Sequence, residues 1–521
     1  MAGPGPAALT VPREAVGSWT ALTPNQRLAA GFVLALSNFM VVLDLTIANV
    51  SVPHIAGNLG ISLDQGTWII TSYAVAEAIC VPLTGWLAQR FGTVRMFLLA
   101  MLGFGFFSLL CGLSVNLGMI VACRIGQGLC GGPIMPMSQT LLVRVFPPEK
   151  RAMAMGIWAM TTTLGPACGP IVGGLISDNL SWHWIFLVNL PIAAICILMG
   201  YRFLRPVENE TRKLPIDKVG LALLAFWIAC LQILLDTGRD LDWFASTRIV
   251  VLAVMAAIGF GAFIIWELTD EHPVVDLRVF RYRGFSTTCV IMALAFGSFF
   301  AGVVAVPQWL QASMGYTATK AGIITALSAV GAVICSQFAA RLLTKFDPRA
   351  LICFGTAWMG LLSLARAGWT SGADFFALAW PMALLGIGIP FMMIPLTTIS
   401  LSSVKPEETG SAAGLTNFVR SMAVAISTSA VLTIWDNAQV GARADLVGKL
   451  QPAVAQAGLA AAGMTPAQAL QMISRMVDVE ATTVALNHSF LVAAALLFLS
   501  AALAWMIPRV PLLRLTGGGG H

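Results

Sequence analysis

Charge is what this chain has least of. Its 521 residues hold 24 Asp and Glu and 30 Lys and Arg, 10% in all. Ordinary soluble domains carry about 25%, so a chain of several soluble domains is excluded. Histidine is scarce too: the five, at 54, 183, 272, 488 and 521, are scattered without ligand spacing, and no metal site is expected. No G-x-x-x-x-G-K-[ST] loop is present, so an ATP-driven engine within this chain is excluded. Neither H-E-x-x-H nor G-x-S-x-G occurs, which removes the commoner hydrolase chemistries. The ten cysteines all fall in apolar stretches, so no disulfide framework is expected. No cofactor and no nucleic-acid partner are expected.

What fills the chain instead is apolar sequence. Hydrophobic residues make up 58%, in runs of about 20 residues, the length a helix needs to cross a hydrocarbon core of about 30 Å. Helices also satisfy their own backbone groups there. The fold class is therefore all-α, a polytopic membrane protein. Spans are predicted at 28–50, 67–88, 95–115, 118–142, 152–177, 184–204, 216–236, 247–267, 286–310, 318–342, 350–368, 374–402, 410–435 and 484–507. The first run is long enough to remain as a span, so no cleaved signal peptide is expected. The closing "TGGGGH" reads as an appended tail.

With these spans, 21 lysines and arginines fall on one side. The other side receives seven: Arg239, Arg248, Lys320, Arg366, Arg443, Lys449 and Arg475. The positive-inside rule then places both termini in the cytoplasm. An internal repeat supports two halves. "PMSQTLLVRVFPPEKRAMAMG" resembles "PLTTISLSSVKPEETGSAAGL" at an offset that aligns Pro136 with Pro395, Pro147 with Pro406 and Glu149 with Glu408. Parallel repeats of this kind mark transporters. The organisation predicted is a cytoplasmic segment 1–27, a six-helix bundle 28–204, a linker with two extra spans 205–285, a second six-helix bundle 286–507 with an outer loop 436–483, and a tail 508–521.

Four charges lie inside spans, where they are expensive and functional by default. Asp44 and Arg124 are each about six residues from the outer end of their helices, roughly 9 Å deep at the helical rise, and are expected to pair. Either the pair is static, tying two helices, or Asp44 exchanges a proton under the influence of Arg124. Glu77 and Arg420 sit near the midplane. Glu77 is the second proton-site candidate; Arg420 can attract an anionic substrate, pair with Glu77, or clamp helices. Gln127, one turn from Arg124, is placed to line the same space. Trp158, Met160 and Asn417 are further candidate lining residues, since soft and polarizable walls suit broad cargo.

The fifth span carries "GIWAMTTTLGPACGPIVGG". Gly156, Gly165, Gly169 and Gly173 allow a facing helix to come close, while Pro166 and Pro170 favour a bend. Gly174 completes the run. In the loop "GWLAQRFGTVR", Gly85 and Gly92 permit a tight turn, and Arg90 and Arg95 can reach acidic groups or helix ends.

Together these segments resemble the major facilitator superfamily, and within it the fourteen-helix drug:proton antiporters of the EmrB/QacA type, the EmrB branch in particular. "LDLTIANVSVP" is similar to the first-helix motif through Asp44, Thr46, Asn49 and Pro53. "RIGQG", from Arg124, is similar to the fourth-helix motif, and Gly156 to Gly174 match the fifth-helix antiporter motif at each fixed position. The loop from Gly85 to Arg95 is similar to the superfamily's loop motif, except that Gln89 stands where an acid is usual and Thr93 where a base is. The resemblance implies two six-helix bundles plus two extra helices and proton-driven efflux of amphipathic drug-like compounds. Asp44 and Arg124 would couple the proton, and Gly85, Arg90, Gly92 and the fifth-helix glycines with Pro170 would serve the conformational change. It also implies a bacterial inner membrane and a tripartite assembly with an EmrA-like periplasmic adaptor and a TolC-like outer-membrane channel. Two alternatives stay open: a proton-coupled exporter of one solute such as a siderophore, fatty acid or bile salt, and a non-transporting sensor or scaffold.

Overall fold

The computed structural model describes residues 21–211, 215–449, 459 and 464–509. Seventeen α-helices are used below: α1 (Pro24–Leu59), α2 (Leu63–Cys80), α3 (Thr84–Phe91), α4 (Thr93–Gly112), α5 (Leu117–Gly131), α6 (Ile134–Val145), α7 (Pro148–Asn179), α8 (Trp184–Leu187), α9 (Asn189–Leu204), α10 (Lys218–Thr237), α11 (Thr247–Thr269), α12 (Arg283–Ala312), α13 (Ala318–Leu343), α14 (Pro348–Arg366), α15 (Phe375–Ser402), α16 (Thr409–Lys449) and α17 (Pro466–Leu503). Among the described residues, twelve helices are long and apolar enough to cross a membrane, or up to 14 spans when each of two bent pairs counts as one. An even number of crossings puts the start of α1 and the end of α17 at one face, called here the terminal face. The opposite one is the distal face.

The polar breaks between apolar runs start the helices. Thr23, with Pro24 behind it and Gln26 reaching back, forms a capping box for α1, and Ser62 with Gln65 does the same for α2. Asn116, Asp217, Thr317, Asp347, Asp374 and Thr465 each accept a backbone N–H at the head of a helix. These caps occupy donors that the first turn of a helix leaves open. α1 stops at Gly60, whose φ of 65° is left-handed and suits glycine. Proline bends the long spans. α2 and α3 meet at 59° beside Pro82, and α7 turns by 43° between Met153–Pro166 and Ile171–Ser177.

α1 to α9 form one bundle and α12 to α17 the other. α10 and α11 pack on each other, and α10 also touches α2 and α16, one helix from each bundle. The bundles meet along α7 with α13, and where α16 lies against α3 and α6. At the terminal face the fit is close. A methyl on Gly85 would lie 2.7 Å from Ser411 Cα, and one on Gly414 would lie 3.0 Å from the Val81 carbonyl.

Two expectations need correcting. The thirteenth predicted span ends at 435 and the last begins at 484, with the outer loop 436–483 between. α16 instead continues to Lys449, and α17 begins at Pro466. Hydropathy finds the stretch that lipid can cover, but a helix continues until a breaker or cap stops it; Thr465–Pro466 is such a signal. Residues 450–458 and 460–463 of that segment lie outside the described residues, as do 1–20 and 510–521. The second correction is Arg366, counted above with the outer charges. It closes the last turn of α14 and is only 4% exposed.

Candidate functional site

Asp44 lies twenty residues into α1, deeper than expected because the helix runs on to Leu59. Arg124 lies on α5, two turns in from its distal end. Both side chains are fully buried, and Arg124 NH1 donates to Asp44 Oδ2 at 2.7 Å. Asp44 Oδ1 accepts from Gln127 Nε2 at 3.0 Å and Asn189 Nδ2 at 2.7 Å. Arg124 also donates from Nε to the Ile69 carbonyl at 3.0 Å and from NH1 to Gln127 Oε1 at 2.8 Å. Its guanidinium stands 4.1 Å from the centroid of the Tyr73 ring, a cation–π contact. Ser108 Oγ accepts from Gln127 and Asn189 and donates to the Phe186 carbonyl. Every member of this network comes from the first bundle, from α1, α2, α4, α5, α8 and α9.

The carboxylate is thus held by three donors, one of them charged. Removing a single partner from such a pair costs about 3–5 kcal/mol, because the other charge stays buried and alone. Three groups in the network keep spare capacity: Arg124 NH2, the Tyr73 hydroxyl and Asn189 Oδ1 have no hydrogen-bond partner among the described residues. A change in the charge of Asp44 therefore has somewhere to send the guanidinium.

Glu77, two turns beyond Ile69 on α2, is buried at 7% exposure. Its carboxylate forms no ion pair or hydrogen bond among the described residues, although the charges of Arg420 and Arg124 both act on it. Arg420, on α16, is 5% exposed. Its guanidinium lies 5.4 Å from the ring centroids of Trp158 and of Phe296, and NH2 approaches Met135 Sδ at 3.5 Å. The direct Glu77–Arg420 pair entertained from the sequence is not formed; aromatic faces and a thioether hold the arginine instead. Trp158 is itself fixed, donating from Nε1 to Ser138 Oγ at 2.8 Å. Asn417 Nδ2 donates to Gln139 Oε1 at 2.6 Å, joining the two bundles. Met160 is half-buried on α7 and is not among the residues that hold Arg420.

The glycines of α7 make the seam expected of them, with one exception. A methyl on Gly165 would lie 2.7 Å from Val42 Cβ, one on Gly169 would lie 2.6 Å from Thr46 Cβ, and one on Gly173 would lie 3.0 Å from the Ile47 carbonyl. Thr46 Oγ1 also donates to the Gly165 carbonyl at 3.2 Å. These contacts bind α7 to the helix that carries Asp44. Gly156 faces the other bundle, with Ser336 and Ala340 of α13 at ordinary contact distance. Gly174 faces open space, so packing does not explain it. Pro170 falls within α7, but its side chain lies outside the described residues.

The loop expected at 85–95 is helical on either side of Gly92, and Arg90, in the last turn of α3, lies over the Trp86 and Phe91 rings. Gly92 has a φ of 94° and backs onto the Glu208 carboxylate. That carboxylate accepts from the Val94 and Arg95 amides, each at 2.9 Å, while Asn209 accepts from the Thr93 amide at 2.7 Å. Glu208 thus places an anion at the head of α4, where the helix dipole favours one. Gln89 leaves this loop without its usual acid. The acid that serves α4 comes from beyond α9.

Sequence reasoning missed Asn189, Ser108, Tyr73, Gln139 and Glu208. A polar side chain within a span is itself a signal, and Asn189 in "FLVNLP" and Gln139 in "MSQT" carried it. Nothing local in "PVENE" points Glu208 at a helix 114 residues earlier.

Residues 34–428 match the sequence profile described as Major Facilitator Superfamily. The chain is 42% identical over 493 residues to "Multidrug export protein EmrB" of Escherichia coli K12, covering 94% of this chain and 96% of that protein. It is 37% identical to "Fatty acid resistance protein FarB" of Neisseria gonorrhoeae, covering 94% and 97%. Among solved structures, the human organic anion transporter MFSD10 aligns at a TM-score of 0.55 and 15% identity, over 91% of this chain and 100% of that one. That is a likeness of fold.

Proposed function

The chain belongs to the Major Facilitator Superfamily, and on that footing we propose that it is a proton-driven exporter of amphipathic, drug-like compounds. It would work by alternating access between the two bundles. The observation that carries this is the fully buried Asp44–Arg124 pair on α1 and α5, with its complete set of donors. The 42% identity to a protein named for multidrug export supplies the direction and the cargo class.

A proton arriving at Asp44 removes the charge that holds Arg124. The guanidinium keeps its bonds to the Ile69 carbonyl and Gln127 and its place against the Tyr73 ring, and α1 loses its charged tie to α5. Because α1 is locked to α7 through Thr46 and Gly165, a shift of α1 moves α7, and α7 is the helix that meets α13 of the second bundle. Each charge carried inward contributes about 2.3 kcal/mol per 100 mV, enough to drive accumulation on one proton per cycle. Glu77 and Arg420, buried and unpaired on opposite bundles, come together or part as the bundles rock, and Arg420 with Trp158 offers an anion and aromatic contact for cargo. Cargo-dependent collapse of an imposed pH gradient in inverted vesicles tests this; cargo binding without proton movement counts against it.

The membrane is a bacterial inner membrane with both termini cytoplasmic, which the excess of Lys and Arg at the terminal face supports. The extensions of α16 and α17, joined by Arg443 to Asp478 at 2.7 Å, project from the distal face and suit a periplasmic adaptor that continues to an outer-membrane channel. A narrower reading, export of one amphipathic acid, draws on the similarity to a protein named for fatty acid resistance and on Arg420, a buried guanidinium held by two aromatic rings and a thioether.

A further inference from the structure

Arg366 ends α14 near the distal face, in the bundle that does not contain Asp44. It is 4% exposed, yet no Asp or Glu forms an ion pair with it among the described residues. NH2 donates to Ser363 Oγ at 2.9 Å, and NH1 approaches Met382 Sδ at 3.8 Å. The guanidinium carbon lies 4.5 Å from the Phe490 centroid, and Nε has no partner among the described residues. A guanidinium has five N–H donors and cannot shed its charge. A serine, a thioether and a ring leave that charge largely uncompensated, which is costly in a buried place.

A small cavity adjoins it. Its volume is about 10 Å³, and it is bounded by Ser298 and Gly302 of α12, Val431 of α16, Ser489 and Phe490 of α17, and Arg366 itself. That is roughly the room one water-sized particle needs. Gly302 keeps the space open, since a methyl there would stand 3.4 Å from Arg366 NH1. The hydroxyls of Ser298 and Ser489 now donate to carbonyls of their own helices, and a hydroxyl rotates to suit a new acceptor. A larger cavity of about 520 Å³ at the distal face is walled by residues of α12, α16 and α17 as well, with Arg475 in its lining.

We propose that Arg366 is the base of an anion site in the second bundle, which takes one small singly charged ion of halide size. The charge is unbalanced, the space admits a single such ion, and the same three helices border both this cavity and the one at the distal face. The site is separate from the Asp44 network and does not depend on proton coupling.

The test uses the full chain purified in lipid nanodiscs, in sulfate buffer of constant ionic strength, sulfate being too large for the cavity. Chloride and bromide are titrated, with acetate and octanoate as controls too large for the cavity, while thermal unfolding is followed by tryptophan fluorescence. The wild-type protein should show a saturable rise in Tm, and Arg366→Gln should raise the half-saturating concentration by about tenfold or more. Gly302→Val, which fills the cavity and keeps the arginine, should do the same, so the test survives if Arg366→Gln does not fold. Saturation by a halide with no response to acetate or octanoate is the result expected; saturation by octanoate alone overturns the proposal. No saturable response in the wild type, or an unchanged midpoint in either variant, overturns the proposal. Efflux is not read here, so this result and the fate of the proton-coupled reading are independent.

Discussion

Asn417 of α16 and Gln139 of α6 share a 2.6 Å hydrogen bond between the two bundles, with both side chains buried. If the bundles rock apart at the terminal face, this bond must break in each cycle. In a variant lacking the ten native cysteines, Gln139→Cys with Asn417→Cys should be joined by a short bismaleimide. Linked protein should lose transport and keep its fold, and the unlinked double variant should transport. Full transport by the linked protein would show that these helices do not separate.

The seam between α1 and α7 predicts a contrast between two glycines five residues apart. Gly169→Val drives a side chain into Thr46 and should destabilise by roughly 1–3 kcal/mol, as overpacking does, with loss of efflux. Gly174→Ala meets nothing within 4 Å and should leave thermal unfolding unchanged. Thermal unfolding of the purified variants distinguishes the two.

Glu208→Gln keeps one acceptor for the amides of α4 and removes the charge. A charge at a helix head is worth typically 0.3–1 kcal/mol and up to about 2 when partly buried. Its loss should lower Tm by a modest amount, and Glu208→Ala by more, because the Val94 and Arg95 amides then lose their acceptor. Gln89→Asp, which restores the more usual acid in the loop, should not rescue Glu208→Ala, since the amides lie at α4 and face Glu208.

Much of this was legible in the sequence, for identifiable reasons. The spans follow from length and hydropathy, because lipid demands about 20 apolar residues whatever the fold. Asp44 and Arg124 were found because a buried charge is too costly to be accidental, and their equal depth allowed only a few partners. The α7 seam was readable because glycine at one-turn spacing leaves a groove. Less accessible were interactions set by tertiary placement. Arg366 looked like a loop charge because it stands at a helix end, and only the packing of α12, α15 and α17 around it reveals that it is buried. Glu208 caps a helix far back in the chain. The ends of α16 and α17 lie beyond what lipid dictates, so hydropathy could not see them.

Asp44 carries the heaviest weight, and proteoliposomes give the most direct measurement. Purified wild-type protein and Asp44→Asn are reconstituted with an interior pH dye, and proton movement is followed on adding cargo. The account predicts cargo-dependent proton flux in the wild type and none in Asp44→Asn, with both proteins folded and inserted to the same extent. Undiminished cargo-dependent proton flux through Asp44→Asn would contradict it.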